Sequence, residues 1–278
     1  MNTLYITDLD GTLLNSSGNL SENSRKMISD FIENGANFTV ATARTFATVK
    51  EMFKGIDLKL PLVLMNGVML YSISDDRVVT YHNINENAVT RVLEIYKKHG
   101  AYPMLYRCVK NGLEIEYFSK DNPYQMKYIG NRDEINGKRF LYSPVFDSEN
   151  NKNIIYIVTL DEYEKLLPIY NDIKKSDDVS CAFYSDNYTG CYFMEVFASG
   201  VSKASTLLEV KNTIKADRVI AFGDNLNDME MFRIADEAYA VENACEELKA
   251  IATETIGCNN DDSVANYISK HFAENKNL

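Results

Sequence analysis

Two short acidic segments hold the residue types best suited to chemistry. Asp8-Leu9-Asp10-Gly11-Thr12 and Gly223-Asp224-Asn225-Leu226-Asn227-Asp228 each follow an apolar run rich in β-branched residues, so each stands where a strand should end. In open parallel sheets ligands bind beyond the carboxyl ends of the strands, above all where strand order reverses. One sheet could therefore bring Asp8, Asp10, Asp224 and Asp228 into a single crevice. Crowded carboxylates raise one another's pKa unless a cation is present, and an all-oxygen cluster without His or Cys suits a hard divalent ion. Mg2+ is the natural candidate. A calcium loop of the EF-hand kind does not fit, because neither segment has both the Gly at the sixth position and the Glu at the twelfth. A phosphate-cradling G-x-x-x-x-G-K-[ST] loop is also absent, since Gly130 and Gly137-Lys138-Arg139 have the wrong spacing.

The elements that must position these residues are legible as alternating strand and helix patterns. Leu4–Thr7 reads as a first strand, followed by a helix from near Ser21 with Met27, Ile28, Phe31 and Ile32 on one face and Gly35 at its end. A strand over Asn37–Ala41, a helix over about Thr45–Lys54 and a third strand, Leu62–Met65, come next. After Gly200 the alternation resumes with a helix from Lys203, a strand over Arg218–Phe222, a helix from about Asn225, a short strand over Ala238–Val241 and a helix from Ala244. The stretch between has another character. Residues 84 to 194 contain 13 of the 18 Tyr and 14 basic against 16 acidic residues, whereas the flanks carry 15 against 24. Its pattern repeats, with a helix over Glu86–His99 before strands at Met104–Cys108 and Leu113–Phe118, and a helix over Asp161–Ser176 before strands at Val179–Tyr184 and Cys191–Val196. Most of the tyrosines fit β-propensity in an α+β sheet. The fold class expected is α/β: a Rossmann-like parallel-sheet core, residues 1–83 and 195–278, interrupted by an inserted α+β domain, residues 84–194.

Composition narrows the functions open to this chain. Its 278 residues are 45% apolar and 25% charged, which argues against disorder, and its net charge of −11 offers no positive field for nucleic acid or anionic lipid. The longest apolar run, Leu60–Tyr71, is broken by Asn66-Gly67 and is too short to span a bilayer. The first residues lack a charged-then-apolar leader. Five Cys, an odd number without a C-x-x-C, fit scattered thiols in a reducing cytoplasm. Three His leave little material for a His-based triad. No nucleic-acid or membrane partner is expected, and the chain should be a monomer or a weak homodimer.

Taken together, the motifs resemble those of the haloacid dehalogenase-like hydrolases, and more closely the Cof-type phosphatases with a large α/β cap inserted after the third core strand. D-L-D-G-T-L-L at Asp8–Leu14, A-T-A-R at Ala41–Arg44, M-N-G at Met65–Gly67, G-V-S-K at Gly200–Lys203 and G-D-N-L-N-D-M at Gly223–Met229 carry the resemblance over nearly the full length. It implies that Asp8 is the nucleophile that forms an aspartyl-phosphate. Asp10 matches the acid that protonates the leaving oxygen and later deprotonates the hydrolytic water. It further implies that Mg2+ is held by the Asp8 carboxylate, the Asp10 backbone carbonyl and the Asp224 carboxylate, with Asp228 an acceptor behind these ligands. The Leu9 and Ala43 backbone amides, the Thr42 hydroxyl, Asn227 and Lys203 match the groups that bind the phosphoryl oxygens. A phosphate dianion repels a carboxylate nucleophile, so a fixed ammonium at Lys203 makes physical sense although a cation is poorly placed at a helix start.

The pattern also has departures. Many relatives carry Gly where this chain has Ala43 and Ala204. Arg44 could contact phosphate or pair with a carboxylate, and Asn243 could belong to a loop near the metal or cap a helix. The activity expected is a Mg2+-dependent phosphatase acting on a small phosphorylated metabolite, sugar phosphates first and phosphorylated cofactors second. A phosphomutase, or a phosphate-ligand sensor without catalysis, are the competing readings on the same fold.

Overall fold

The computed structural model describes residues 2–110, 112–130, 134–135, 137–147, 151–185 and 190–275. The first part of the chain forms β1 (Thr3–Thr7), α1 (Glu22–Glu33), β2 (Asn37–Val40), α2 (Phe46–Met52), β3 (Leu62–Leu64), β4 (Met69–Ser72) and β5 (Arg77–Tyr81). The interrupting segment forms α3 (Glu86–Lys98), β6 (Met104–Val109), β7 (Gly112–Tyr117), α4 (Pro123–Ile129), β8 (Glu134–Ile135), β9 (Lys138–Tyr142), β10 (Ile154–Asp161), α5 (Tyr163–Ile173), β11 (Val179–Ser185) and β12 (Tyr192–Ala198). The remainder supplies α6 (Lys203–Ile214), β13 (Arg218–Gly223), α7 (Met229–Ile234), β14 (Glu237–Ala240), α8 (Glu246–Lys249), β15 (Glu254–Thr255) and α9 (Ser263–Asn275).

The chain packs as two compact units, Met1–Thr80 with Ser202–Leu278, and Tyr81–Val201. The first unit is built on a five-stranded sheet in the order β15-β14-β13-β1-β2, with every pairing parallel. β1 and β13 are buried along nearly their whole length, as strands covered on both faces must be, which explains their continuous apolar runs. From β1 the chain moves outward to β2 on one side and returns to β13 on the other, so the order reverses at the β1/β13 pair. α1 begins where Ser21 accepts a hydrogen bond from the Ser24 amide, and it buries Ile28, Phe31 and Ile32.

The third strand behaves differently from the expectation of a simple core strand. β3 meets the parallel sheet through an Ala41–Val63 bridge and then turns back antiparallel into β4, giving a separate β3-β4-β5 sheet. β5 alternates exposed and half-buried residues, so its side chains give only a weak apolar signal. The helix expected from Ala244 is a four-residue turn, Glu246–Lys249, and the one after Asp224 begins as a tight turn over Leu226–Asp228.

The inserted unit is a seven-stranded sheet, β11-β12-β10-β6-β7-β9-β8, antiparallel except where β7 pairs with β9. Val89, Val92, Leu93 and Tyr96 of α3 pack with Leu166, Ile169 and Ile173 of α5 against Leu105, Ile157, Met194 and Val196 of the sheet. Tyr96, Tyr106 and Tyr156 are fully buried, and Thr159 donates to the Tyr96 hydroxyl at 2.6 Å. A boundary at residues 194/195, placed by composition, falls inside β12. The pairs Ile157↔Val196 and Val179↔Ala198 hold that whole strand in the inserted sheet, so the chain leaves the unit at Val201. A hydrogen-bonded ladder sets this boundary, and a shift in composition does not reveal it.

Candidate active site

Asp8 and Asp224 are the residues immediately beyond β1 and β13. The register Thr7↔Phe222 and the bond from the Asp8 amide to the Phe222 carbonyl at 2.9 Å bring the two strand ends side by side at the point where strand order reverses. After Asp8 the chain makes one wide turn, Leu9–Leu13, closed by the Leu14 amide on the Leu9 carbonyl at 2.8 Å. Gly11 allows that turn, because its φ is +79° and a Cβ there would lie 2.4 Å from Asp224 Oδ2. Thr12, one residue on, donates to Asp224 Oδ1 at 2.9 Å.

The turn Leu226–Asp228 returns Asp228 beneath the same point. Its Oδ2 accepts the Asp224 and Asn225 amides at 3.1 and 3.2 Å, and its Oδ1 accepts Lys203 Nζ at 2.8 Å. Lys203 also donates to Asp8 Oδ1 at 2.6 Å. One oxygen each from Asp8, Asp224 and Asp228 can be chosen so that all lie within 4.8 Å of one another. Asp8, Lys203 and Asp228 are buried, with side-chain exposures of 7%, 1% and 0%.

This burial governs the charges. Desolvation pushes the Asp8 carboxyl well above the ordinary carboxylate range, the Lys203 ammonium opposes it, and Asp228 and Asp224 push it further up. Desolvation, with Asp228 beside it, pushes Asp224 up to about 7. Burial works against the Lys203 ammonium, but Asp228 and Asp8 outweigh it and hold its pKa above the usual lysine value. Three carboxylates against one ammonium leave a formal deficit of two positive charges. The donors are all oxygen. Both features fit a hard divalent cation.

Lys203 is the first residue of α6, where a cation would meet the positive helix end. The two carboxylates around its ammonium account for that placement, while Ser202 caps the helix by accepting the Ser205 amide at 3.2 Å. Ala204 continues the helix. Ala43 has a negative φ, so the alanine is accommodated without backbone strain.

Thr42 is fully buried at the end of the second strand, and its Oγ1 accepts the Arg44 amide at 3.2 Å. The loop it begins is held from behind by Met65-Asn66-Gly67. The Asn66 and Met65 amides donate to the Thr42 and Arg44 carbonyls at 3.0 and 3.1 Å. Met65, Asn66 and Gly67 all have positive φ, and a Cβ on Gly67 would lie 2.2 Å from the Ser202 carbonyl oxygen, so the turn also abuts the start of α6. Leu9 is buried in the wide turn, whereas Asn227 stands exposed on the turn after Asp224.

Asp10 does not point its carboxylate into the Asp8-Asp224-Asp228 group. Its two oxygens are gripped by Arg44, Nε on Oδ2 at 2.7 Å and Nη2 on Oδ1 at 2.6 Å. The structure thus takes one of the two alternatives left open for Arg44, pairing with a carboxylate. Asn243 lies in a loop against the acidic group, the first of its two alternatives, and does not cap a helix. Cys245 occupies the cap position of α8, and Asn243 instead donates to the Gly11 carbonyl at 2.7 Å and accepts the Asn259 amide at 3.1 Å, bracing the wide turn. Thr12 and Gly11 received no individual role from the sequence. Both lie inside the Asp8–Leu14 motif, which was the available signal, whereas Asn259 had none, its partners Asn243 and Leu14 being remote in sequence.

Comparison with known proteins agrees with this architecture. The family model of the haloacid dehalogenase-like hydrolases matches residues 5–268. A 5-amino-6-(5-phospho-D-ribitylamino)uracil phosphatase of Bacillus subtilis is 23% identical over 273 residues, 97% of each chain. A pyridoxal phosphate phosphatase of Escherichia coli is 22% identical over 271 residues, covering 95% of this chain and 97% of that one. The solved structure of a haloacid dehalogenase-like hydrolase from Bacteroides thetaiotaomicron superposes with a TM-score of 0.79 at 22% identity, covering 98% of this chain and all of that one. From the family match over almost the whole length and the carboxylate group at the β1/β13 strand ends, the chain belongs to the haloacid dehalogenase-like hydrolase family.

Proposed function

We propose that the protein is a Mg2+-dependent phosphatase that hydrolyses a small phosphorylated metabolite through an aspartyl-phosphate at Asp8. The observation that carries this reading is the group of Asp8, Asp224 and Asp228, with buried Asp8 and Asp228 bonded to the Lys203 ammonium and half-buried Asp224 beside them. Asp8, the Asp10 backbone carbonyl and Asp224 would hold the Mg2+, which supplies the positive charge that lets an anionic nucleophile approach a phosphate dianion. Asp228 has its oxygens committed to Lys203 and to the Asp224 and Asn225 amides, and it fixes both the ammonium and the Asp224 loop.

Lys203 holds Asp8 through Oδ1, which leaves Oδ2 to attack phosphorus. An Oδ2–P bond forms, the ester P–O bond breaks, and the leaving oxygen takes a proton from Asp10. Water then attacks the phosphoenzyme, Asp10 recovers a proton from it, and phosphate departs as the Oδ2–P bond breaks. The Thr42 hydroxyl, the Leu9 and Ala43 amides, Asn227 and Lys203 bind the phosphoryl oxygens. In this reading Met1–Thr80 with Ser202–Leu278 is the catalytic core, and Tyr81–Val201 is the inserted cap domain. Sugar phosphates rank first as substrates and phosphorylated cofactors second. The Bacillus relative, whose substrate joins a phosphoribityl chain to a uracil ring, lies between those classes. Five thiols without a C-x-x-C pattern suit a cytoplasmic setting.

A screen of phosphorylated metabolites with detection of free phosphate tests this reading, run with Mg2+ and with chelator, on wild type and on Asp8→Asn. Release of phosphate from small substrates by the wild type alone supports it. Conversion of a hexose phosphate to its isomer without free phosphate would instead identify a phosphomutase, and tight phosphate-ester binding without turnover would identify a sensor.

A further inference from the structure

The Asp10–Arg44 contact is a fork-to-fork pair, in which two guanidinium nitrogens meet both oxygens of one carboxylate. It is partly exposed, 35% for the Asp10 side chain and 22% for Arg44, so it contributes little to stability by itself. Yet the guanidinium is carefully placed. The Arg44 amide donates to Thr42 Oγ1, the Arg44 carbonyl accepts the Met65 amide, and Nη1 lies 3.8 Å from Met52 Sδ. The residue that anchors it, Met65, is a fully buried non-glycine with φ +53°, a disfavoured conformation that persists where the surroundings impose it. A strained turn therefore supports the loop that presents Arg44 to Asp10.

We propose that Arg44 is a positioning residue for Asp10. The inference rests on the reading of Asp10 as the acid and base of the reaction. A carboxylate on a loop has two free side-chain torsions, and proton transfer demands that it be aimed. The bidentate grip removes both torsions and occupies one lone pair on each oxygen, leaving the outer lone pair of either oxygen to exchange a proton. Lysine, a point charge on a flexible stem, holds one oxygen and restores part of this alignment.

The test is steady-state kinetics of full-length wild type, Arg44→Ala, Arg44→Lys, Asp10→Asn and the Arg44→Ala/Asp10→Asn double variant on β-glycerol phosphate and p-nitrophenyl phosphate, with thermal unfolding in parallel. Arg44→Ala should lower kcat for β-glycerol phosphate by about tenfold to a hundredfold, part of the factor that general acid–base catalysis contributes. KM should stay within about threefold, the loss should be smaller for p-nitrophenyl phosphate, and Arg44→Lys should recover part of it. Adding Arg44→Ala to Asp10→Asn should cost nothing further, because Arg44 acts through Asp10. A rise in KM with unchanged kcat, or losses that multiply in the double variant, would overturn the proposal and make Arg44 a substrate-binding group. An impaired Asp10→Asn beside a fully active Arg44→Ala sinks this inference alone. A fully active Asp10→Asn sinks the underlying reading of Asp10, and the inference with it. Should Arg44→Ala unfold, Arg44→Lys read in the Asp10→Asn background decides the same question.

Discussion

Replacing Lys203 by methionine probes the site's electrostatics directly. The ammonium lies 2.6 Å from Asp8 Oδ1 and 2.8 Å from Asp228 Oδ1. At an effective dielectric of about 20, each contact has a gross attraction of about 6 kcal/mol. Most of this is cancelled by the cost of removing three ions from water, so the net worth of the group is far smaller. Methionine keeps the side-chain volume and removes the charge, leaving two carboxylates buried without their partner. Breaking a buried pair in this way costs about 3–5 kcal/mol, a large share of the total stability of about 5–15 kcal/mol usual for a domain. Removing one of the stranded carboxylates as well should return part of the loss, so Lys203→Met/Asp8→Asn should be more stable than Lys203→Met. Saturating Mg2+ should stabilise Lys203→Met more than it stabilises the wild type, since the carboxylate group has lost its internal cation. Urea titration in EDTA and in Mg2+, read by hydrogen exchange in the β1 and β13 peptides, reports on the unit that contains the site. A loss under about 1 kcal/mol in EDTA, or a double variant no more stable than Lys203→Met, would refute the electrostatic account.

Three further outcomes are expected. Asp8→Asn should reduce turnover to background while its metal-free stability stays at or above wild type, because one of three competing buried carboxylates is neutralised; kinetics and thermal unfolding on one preparation check both halves. Gly11→Ala and Gly67→Ala should fail differently. The new Cβ at residue 11 meets a movable carboxylate end, Asp224 Oδ2, at 2.4 Å, so calorimetry should show weakened Mg2+ binding in a folded protein. The one at residue 67 meets backbone, the Ser202 carbonyl oxygen at 2.2 Å, so loss of folded protein should dominate. His271 is held neutral by burial and by Arg218, against the pull of Glu274, while its Nδ1 shares a hydrogen bond with the Tyr5 hydroxyl. Its folded pKa lies below the ordinary 6.5, so the unfolded chain takes up this proton first. The corresponding stability is present above pH 6.5 and is lost as pH falls through the folded value. His271→Phe should flatten the fall in Tm between pH 7 and pH 5, and an unchanged slope would exclude His271 as its source.

Much of this molecule is legible without coordinates. β1, β2 and β13 follow from continuous β-branched runs, and α1, α3 and α6 from apolar residues recurring at helical spacing beside Ser or Asn caps. Other elements left weaker traces. The β4-β5 hairpin has one strand of mixed exposure, and β10 is a long apolar run whose place at the centre of the inserted sheet depends on partners in β6 and β12 that are remote in sequence. The site shows the same division. Asp8, Asp10, Asp224 and Asp228 stand out by type and spacing and Lys203 by the motif resemblance, but no spacing indicates that Asp10 turns to Arg44 or that Asn243 braces Gly11.

The sequence by itself determined which residues sit at strand ends, which helices form, and where the carboxylates and the ammonium enter the chain. These are local properties, encoded in side-chain periodicity and in the backbone freedom of Gly11 and Gly67. Tertiary structure alone decided the partners. Lys203 reaches Asp8 across 195 residues because the parallel register of β1 with β13 lays two strand ends side by side and α6 returns to the same edge. Arg44 reaches Asp10 because the Met65–Gly67 turn holds its loop. Such pairings are set by sheet register and by close backbone approach, which depend on the whole folded unit and on no single segment of it.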